Sequence, residues 1–417
     1  MNIIVFRRLV RSRKECKLYE TKPIGSAIKF KRKAMNMTLE EGSEGICSVS
    51  YLSKIENNLI ELGDQFLNPL VERFGLENLY DNQINHFEKD MEEIIEHLTY
   101  GTLPKRDMLE EYVDRIDYQA QLIKMGYNIL LGHEDIAWQS FQDLKMYIPN
   151  LEDQEFTLFL ILSNIYLYKH NQHSEAFEIL ILAPKFEDLK QKSVLLLLKW
   201  RLLNAFRMHK MSEVLTNYPI YVNMLVDIEH YELLQDIRGE YIQFEAYYKH
   251  PEMIKDALSK MQALSKKERD YVLAKSLFFH QNYQEVIKLA RPYYKQSSQW
   301  LVLYLISLDY EHRHDDLKVV LTHTDELQEI CHTSSLLLSH LQNKYSGDKE
   351  QLLTYLRRVI LGIKNLTDEY HILVYLMVDS QQLFSSLQLY KEAVQVTKNY
   401  LPRLKELKQS ESDPDRN

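Results

Sequence analysis

Eight side chains between Thr38 and Asn57 are of types that bind phosphates or touch base edges: Thr38, Ser48, Val49, Ser50, Tyr51, Ser53, Lys54 and Asn57. Hydroxyls and amides can bond phosphate oxygens, and one ammonium beside small polar groups suits a helix lying in a DNA major groove. Ser and Thr contacts to bases are permissive, so no operator sequence follows from them. A second set recurs about 40 residues apart: Asn164, Asn204 and Gln243, accompanied by Tyr168, Arg201, Arg238 and Tyr247. Side-chain amides can hold the N–H and C=O groups of an extended peptide, and an arginine can pair its terminal carboxylate. The same residue types also make ordinary interhelical hydrogen bonds, and both readings stand at this point. Catalytic patterns are absent from the sequence: there is no phosphate-cradling glycine loop and no H-E-x-x-H. Cys16, Cys47 and Cys331 are odd in number and far apart, without metal or redox spacing. His312 and His314 flank Arg313, and His170 and His173 flank another turn; solvated turn residues are the expectation for all four. We expect a non-enzyme with no metal and no cofactor.

The first set needs two short helices to position it. Thr38 and Glu41 stand at capping-box spacing and start a helix near Leu39. Gly45 sits where that helix should stop in a positive-φ turn. Ser48 then caps a second helix running to about Asn57, with Leu52 and Ile55 facing inward. Ile24–Lys33 supplies an earlier helix through Ile24, Ala27 and Ile28. Gln65–Phe74 closes the bundle with Phe66, Leu67, Leu70, Val71 and Phe74.

The run IGSAIKFKRKAMNMTLEEGSEGICSVSYLSKIENN resembles the Cro/repressor (XRE)-type helix-turn-helix of bacterial and phage regulators. The resemblance covers about residues 24–76, and SVSYLSKIEN is its most specific piece. It implies that Ser48 and Asn57 touch phosphates and that Val49, Ser50, Ser53 and Lys54 face bases. It also implies a buried ion pair between Arg32 and Glu56. One departure stands out: Gly42-Ser43 occupies the place of the family's usual Leu-Ala. A helix-interior glycine costs roughly 1 kcal/mol against alanine, and a core leucine is lost, which implies a marginal domain or one that binds DNA only as a dimer.

From about Lys105 the chain repeats a scheme: an apolar helix, a polar turn, a second helix. The turns fall near Gly132, Gln172, His209, His250, Gln281, His314, Ser346 and Leu389, at the period of tetratricopeptide-like hairpins. Ala176, Val286 and Ala393 sit where paired helices would approach closely. Stacked hairpins bury one continuous core and form a concave groove suited to a peptide or partner helix. The expected fold is all-α: an N-terminal five-helix helix-turn-helix domain, a linker helix and a tetratricopeptide-like α-solenoid. The expected boundaries are 1–22 for a basic extension, 23–76 for the helix-turn-helix domain, 77–104 for the linker, 105–408 for the repeats and 409–417 for a polar tail. This order of parts resembles the peptide-pheromone-responsive Rgg, PlcR, NprR and PrgX group of Gram-positive bacteria and their phages. The resemblance implies a homodimer on a palindromic double-stranded DNA operator, controlled by a short peptide in the groove. The reading from a different class is a protein-binding scaffold or adaptor with a vestigial helix-turn-helix.

The net charge of −9 argues against nucleic acid until its distribution is considered. The first 75 residues hold 13 Lys and Arg against 9 Asp and Glu, so a basic head sits on an acidic body. Within 1–22, NIIVFRRLVRSRKECK reads either as an arm reaching DNA or as a tail, including one added by an upstream start codon. Its apolar run is too short for a signal peptide. Ile84, Phe87, Met91, Ile94 and Leu98 form a heptad-like seam; it either pairs subunits or docks on the array, or is one more core helix. Gly101–Pro104 reads as a hinge. FTLFLILSNIYLY and SVLLLL are too short to span a membrane, and a reduced cytoplasmic location is expected from the cysteines.

Overall fold

The structure, a computed structural model, describes residues 6, 7, 10, 24–76, 86–261, 264–363 and 366–409, except residues 58, 61, 106, 114, 116, 171 and 368. Among these residues every regular element is helical, and no helix is long and apolar enough to cross a membrane.

The head is built from α1 (Ile24–Ala34), α2 (Leu39–Ser43), α3 (Val49–Glu56) and α4 (Asp64–Phe74). A fifth helix of the expected bundle would fall outside the described residues. The Thr38 hydroxyl accepts from the Glu41 amide at 3.2 Å, and the Glu41 carboxylate accepts from the Thr38 amide at 2.7 Å. The Ser48 hydroxyl accepts from the Tyr51 amide at 3.1 Å and starts α3. Ala27, Ile28, Leu52, Ile55, Leu70, Val71 and Phe74 form the core. Through that core runs a bidentate ion pair: Arg32 Nε and Nη2 donate to the two Glu56 carboxylate oxygens at 2.6 and 2.8 Å. Arg32 Nη1 donates to the Met37 carbonyl at 2.7 Å. Gly42 is buried against this pair, and a Cβ there would lie 2.9 Å from Arg32 Cδ and 3.2 Å from Leu52. The glycine therefore admits the arginine stem. The sequence-based expectation of a simple packing deficit is corrected: the space a larger residue would fill is already occupied.

After the head, α5 (Phe87–Tyr100) places Phe87, Met91, Ile94 and Ile95 in the core of the first repeats, with Leu98 packed against it. The apolar seam is thus used within the chain; Ile84 lies outside the described residues. Gly126 allows the approach, since a Cβ there would stand 2.8 Å from Ile94. Hairpins follow: α6 (Tyr118–Leu131) with α7 (Glu134–Leu144), and α8 (Asp153–Lys169) with α9 (His173–Leu180). Next come α10 (Gln191–Arg207), α11 (Met211–Asp227), α12 (Tyr231–Glu245), α13 (Pro251–Ser259), α14 (Lys266–Phe279) and α15 (Tyr283–Ala290). The series ends with α16 (Ser298–Tyr310), α17 (His314–Thr322), α18 (His332–Lys344), α19 (Lys349–Tyr355), α20 (Tyr370–Ser386) and α21 (Tyr390–Gln409). His209, Gln281, His312 and Gln388 take positive φ at the ends of first helices, a conformation costly for residues with a Cβ. Ala176, Val286 and Ala393 are buried, as close helix packing requires.

A π turn over Leu356–Ile360 follows α19. Tyr400 donates to the Ile360 carbonyl, and Asn399 Nδ2 donates to that of Leu361 at 3.4 Å. The chain divides into two compact units, residues 1–204 with 217–224, and 205–216 with 225–417.

Candidate nucleic-acid interface and repeat sites

Ser48, Val49, Ser50 and Lys54 are exposed along α3, while Leu52, Ile55 and Glu56 are buried beneath them. This is the amphipathic split that capping at Ser48 and the i, i+3 apolar pair dictate. Thr38 is exposed, but its hydroxyl is engaged at the start of α2. Ser53 is half-buried. Two residues of the set are placed differently from the sequence-based reading. The Tyr51 hydroxyl accepts from the Gly63 amide at 2.9 Å, and its ring packs on Phe66 at 4.7 Å; the side chain holds the loop before α4 rather than facing outward. Asn57 donates to the Ser53 carbonyl at 2.7 Å and accepts from Lys29 Nζ at 2.7 Å, so its amide is committed within the head. Burial, followed by the neighbouring Lys33 charge, lowers the Lys29 pKa. The same ammonium stands 5.9 Å from the Tyr147 ring of the first repeats, against whose core Phe30 also packs.

Among the described residues of the head, the exposed cations are Lys33 and Lys54. Arg73 donates to the carbonyls of Glu41, Gly42 and Glu44, securing the turn before α3. In the basic extension only Phe6, Arg7 and Val10 are described. Phe6 and Val10 are buried in the core of the first repeats, Phe6 stacks on Phe159 at 6.2 Å, and Arg7 pairs with Glu178 at 3.2 Å. These three side chains pack on repeats, and the remainder of the arm lies outside the described residues.

The amide ladder divides. Asn164 and Asn204 are 0% exposed, and their side-chain nitrogens donate to the Ala176 and Trp200 carbonyls at 2.8 and 2.7 Å. The Asn164 amide ties α8 to α9, while that of Asn204 bonds back within α10; with both side chains fully buried, neither is presented to a peptide, unlike the sequence-based reading. Tyr168 is half-buried, edge-on to His173 and Trp200. Arg201 is half-buried beside the Phe186 ring. Arg238 is exposed and Gln243 half-buried. Tyr247 stacks on Phe279 at 4.1 Å and on His371 at 4.8 Å, with His209 at 3.9 Å. Because Asn164, Tyr168, Arg201 and Asn204 belong to the first unit and Arg238, Gln243 and Tyr247 to the second, each group is described within its own unit.

Around Tyr247 lies a cluster that the sequence reading missed. Lys275 of α14 is 7% exposed, its ammonium 4.9 Å from the Tyr247 ring and 5.3 Å from that of Tyr271. Burial and then the Arg207 charge lower its pKa to about 7, against the opposing pull of Glu240 and Glu369. Burial holds His209 and His371 at about 3, so both rings are neutral at physiological pH. The available signal was a lysine in the midst of DYVLAKSLFF, one turn after a tyrosine.

In a second cluster of this unit each charged group meets an opposite charge, although the buried His340 Nδ1 has no hydrogen-bond partner among the described residues. Lys344 donates to Asp309 at 2.8 Å and to Asp379 at 2.6 Å; Tyr345 and Tyr375 donate to Asp309, and His340 contacts Asp379 at 2.8 Å. Its closed arrangement suits a structural role. Among the described residues no group of three His, Cys, Asp or Glu side chains is placed to hold a metal ion.

A family model described as Anaphase promoting complex subunit 8 / Cdc23 matches residues 199–386, less than half the chain and none of the head. No curated protein and no solved structure matches. The matched region is similar to that TPR-like repeat family, and with the all-helical hairpins it makes the array a helical-repeat scaffold of the α-solenoid class, an architecture that generally binds proteins or peptides.

Proposed function

We propose that the chain is a sequence-specific DNA-binding transcriptional regulator whose repeat array senses a short peptide. The observation that carries this reading is the exposed face of α3, with Ser48, Val49, Ser50 and Lys54 set outward over a core fixed by the Arg32–Glu56 pair. Thr38, Ser53, Tyr51 and Asn57 serve that face from within, as caps and struts. In the second unit of the array, Arg238, Gln243 and Tyr247 are the peptide contacts of this reading. The described residues 24–76 present few exposed cations and so few phosphate neutralisations, and on that count one head binds weakly. A homodimer with two heads on a palindromic operator supplies the missing affinity, with half-sites one or more helical turns apart. By linkage, the peptide must favour one dimer geometry over another. The array takes no catalytic role in this account, and the protein acts in the cytoplasm.

The test is Ser50→Ala with Lys54→Ala in the full-length protein. Specific DNA should be lost while the helical signal and melting temperature hold. Normal operator binding by this variant would reject α3 as the reading helix.

The second reading is a protein-binding scaffold whose head no longer binds DNA. It is favoured by a family match confined to the array and by the single lysine on the exposed face of α3. Sequencing DNA crosslinked to the protein in cells separates the two: discrete peaks support the regulator, and their absence supports the scaffold.

A further inference from the structure

Four groups in the second unit converge without an acceptor to receive them. Lys275 Nζ has tyrosine faces on two sides but no carboxylate or carbonyl within hydrogen-bonding distance among the described residues. The Tyr247 and Tyr271 hydroxyls make no hydrogen bond there either. His371 Nε2 is buried without a partner, its ring held against Tyr247 and Phe279. A buried donor left unsatisfied is destabilising, and a buried charge is ordinarily paired. Lys344 in the same unit shows the ordinary arrangement, with two aspartates in contact.

We propose that Lys275, Tyr247, Tyr271 and His371 form a binding pocket for a carboxylate of the ligand that the array takes up. This rests on the peptide-sensing reading above and deepens it by naming the group recognised. A carboxylate has the acceptors the pocket lacks: its two oxygens can receive the ammonium, a phenol and the imidazole N–H together. The surrounding charges select a monoanion. Arg207, at the end of α10, adds a positive field, while Glu240 of α12 and Glu369 before α20 subtract from it. The Glu369 carboxylate is itself engaged by the Thr333 hydroxyl at 2.8 Å. A phosphate dianion would meet two glutamates with little cationic surplus. Phe279 and the tyrosine rings supply an apolar wall for a side chain next to the carboxylate.

The pocket should also make binding depend on pH. Only the ammonium form of Lys275 attracts the anion. His209 and His371 stay neutral through this range, and Tyr247 and Tyr271 stay protonated, since burial raises both. Affinity should be flat below pH 7 and fall roughly tenfold per pH unit between about 7.5 and 9.

The experiment uses full-length protein labelled with [ε-13C]lysine, with Lys275→Met to assign the Lys275 resonance. Titration in chloride should show Lys275 ionising near neutrality, and replacing chloride by acetate should move its midpoint upward. Tyr247→Phe, which keeps the ring, should reduce that movement. Two random heptapeptide pools, one with free C-termini and one amidated, are then passed over immobilised protein at pH 6.5 and pH 9. Enrichment of the free-acid pool at pH 6.5, lost at pH 9 and in Lys275→Met, supports a peptide terminus as the source. Equal retention of both pools, unchanged in Lys275→Met, keeps the groove and overturns the pocket. An acetate response with neither pool retained supports the pocket for a small carboxylate and removes the peptide reading. A Lys275 resonance indifferent to acetate and to both pools overturns the proposal.

Discussion

The head and the second unit of the array each bury a cation, and they treat it oppositely. Arg32 meets a carboxylate with two hydrogen bonds and a carbonyl with a third. Lys275 meets two aromatic faces and no acceptor. The first arrangement is complete and fixes the bundle that presents α3. The second is incomplete, and a buried polar group without a partner calls for an explanation, which the proposed pocket supplies. The Asp309–Lys344–Asp379 cluster shows that this fold can close a charge network where structure alone is at stake.

The largest test of the contrast is Glu56→Ala. It strands Arg32 in the core and should cost about 3–5 kcal/mol, read as early protease cleavage within residues 24–76. Arg32→Met with Glu56→Leu should recover most of that loss. Next is Gly42→Ala. Helix propensity alone promises a gain of roughly 1 kcal/mol, but Arg32 is pinned by Glu56 and cannot give way. We expect a net destabilisation of about 1–3 kcal/mol from overpacking, measured by denaturant unfolding; a stabilised variant would show that the arginine stem yields. Lys275→Met should do the reverse of Glu56→Ala and raise the stability of the ligand-free protein by about 1 kcal/mol. The sign follows from proton binding. The folded amine has a pKa near 7 and the unfolded one near 10.5, so the unfolded chain holds more protons between these values and wild-type stability rises with pH across them. Lys275→Met should lack that rise in melts from pH 7 to 10. The smallest stability effect belongs to Ser50→Ala with Lys54→Ala, within about 0.5 kcal/mol, although each lost base contact weakens DNA binding by about 1–3 kcal/mol.

What could be read in the sequence was local. The T-x-x-E box, the Ser48 cap and the hairpin turns each depend on residues a few positions apart, and the structure places helix starts at Leu39 and Val49 and positive-φ residues at the turns. The sequence does not show that Tyr51 accepts from the Gly63 amide or that Asn57 accepts from Lys29, because these partners lie 12 and 28 residues away. Asn164 and Asn204 recur at the repeat period but are used differently, one bridging two helices and one bonding back within its own, and periodicity cannot separate such internal uses from ligand contact. The Lys275 cluster draws on residues from 207 to 371, a set that only folded helices bring together.

The π turn at Leu356–Ile360 has a consequence for the chain's end. Gly362 must stay side-chain-free, since a Cβ there would lie 2.2 Å from the Arg358 carbonyl, and the oxygens of Ile360 and Leu361 are covered by Tyr400 and Asn399. The final helix thus acts as a clasp on the hairpin before it. A frameshift or stop codon ahead of residue 399 would bare that backbone to water and proteases, so shortened products should be cleared from the cell rather than persist as smaller working versions.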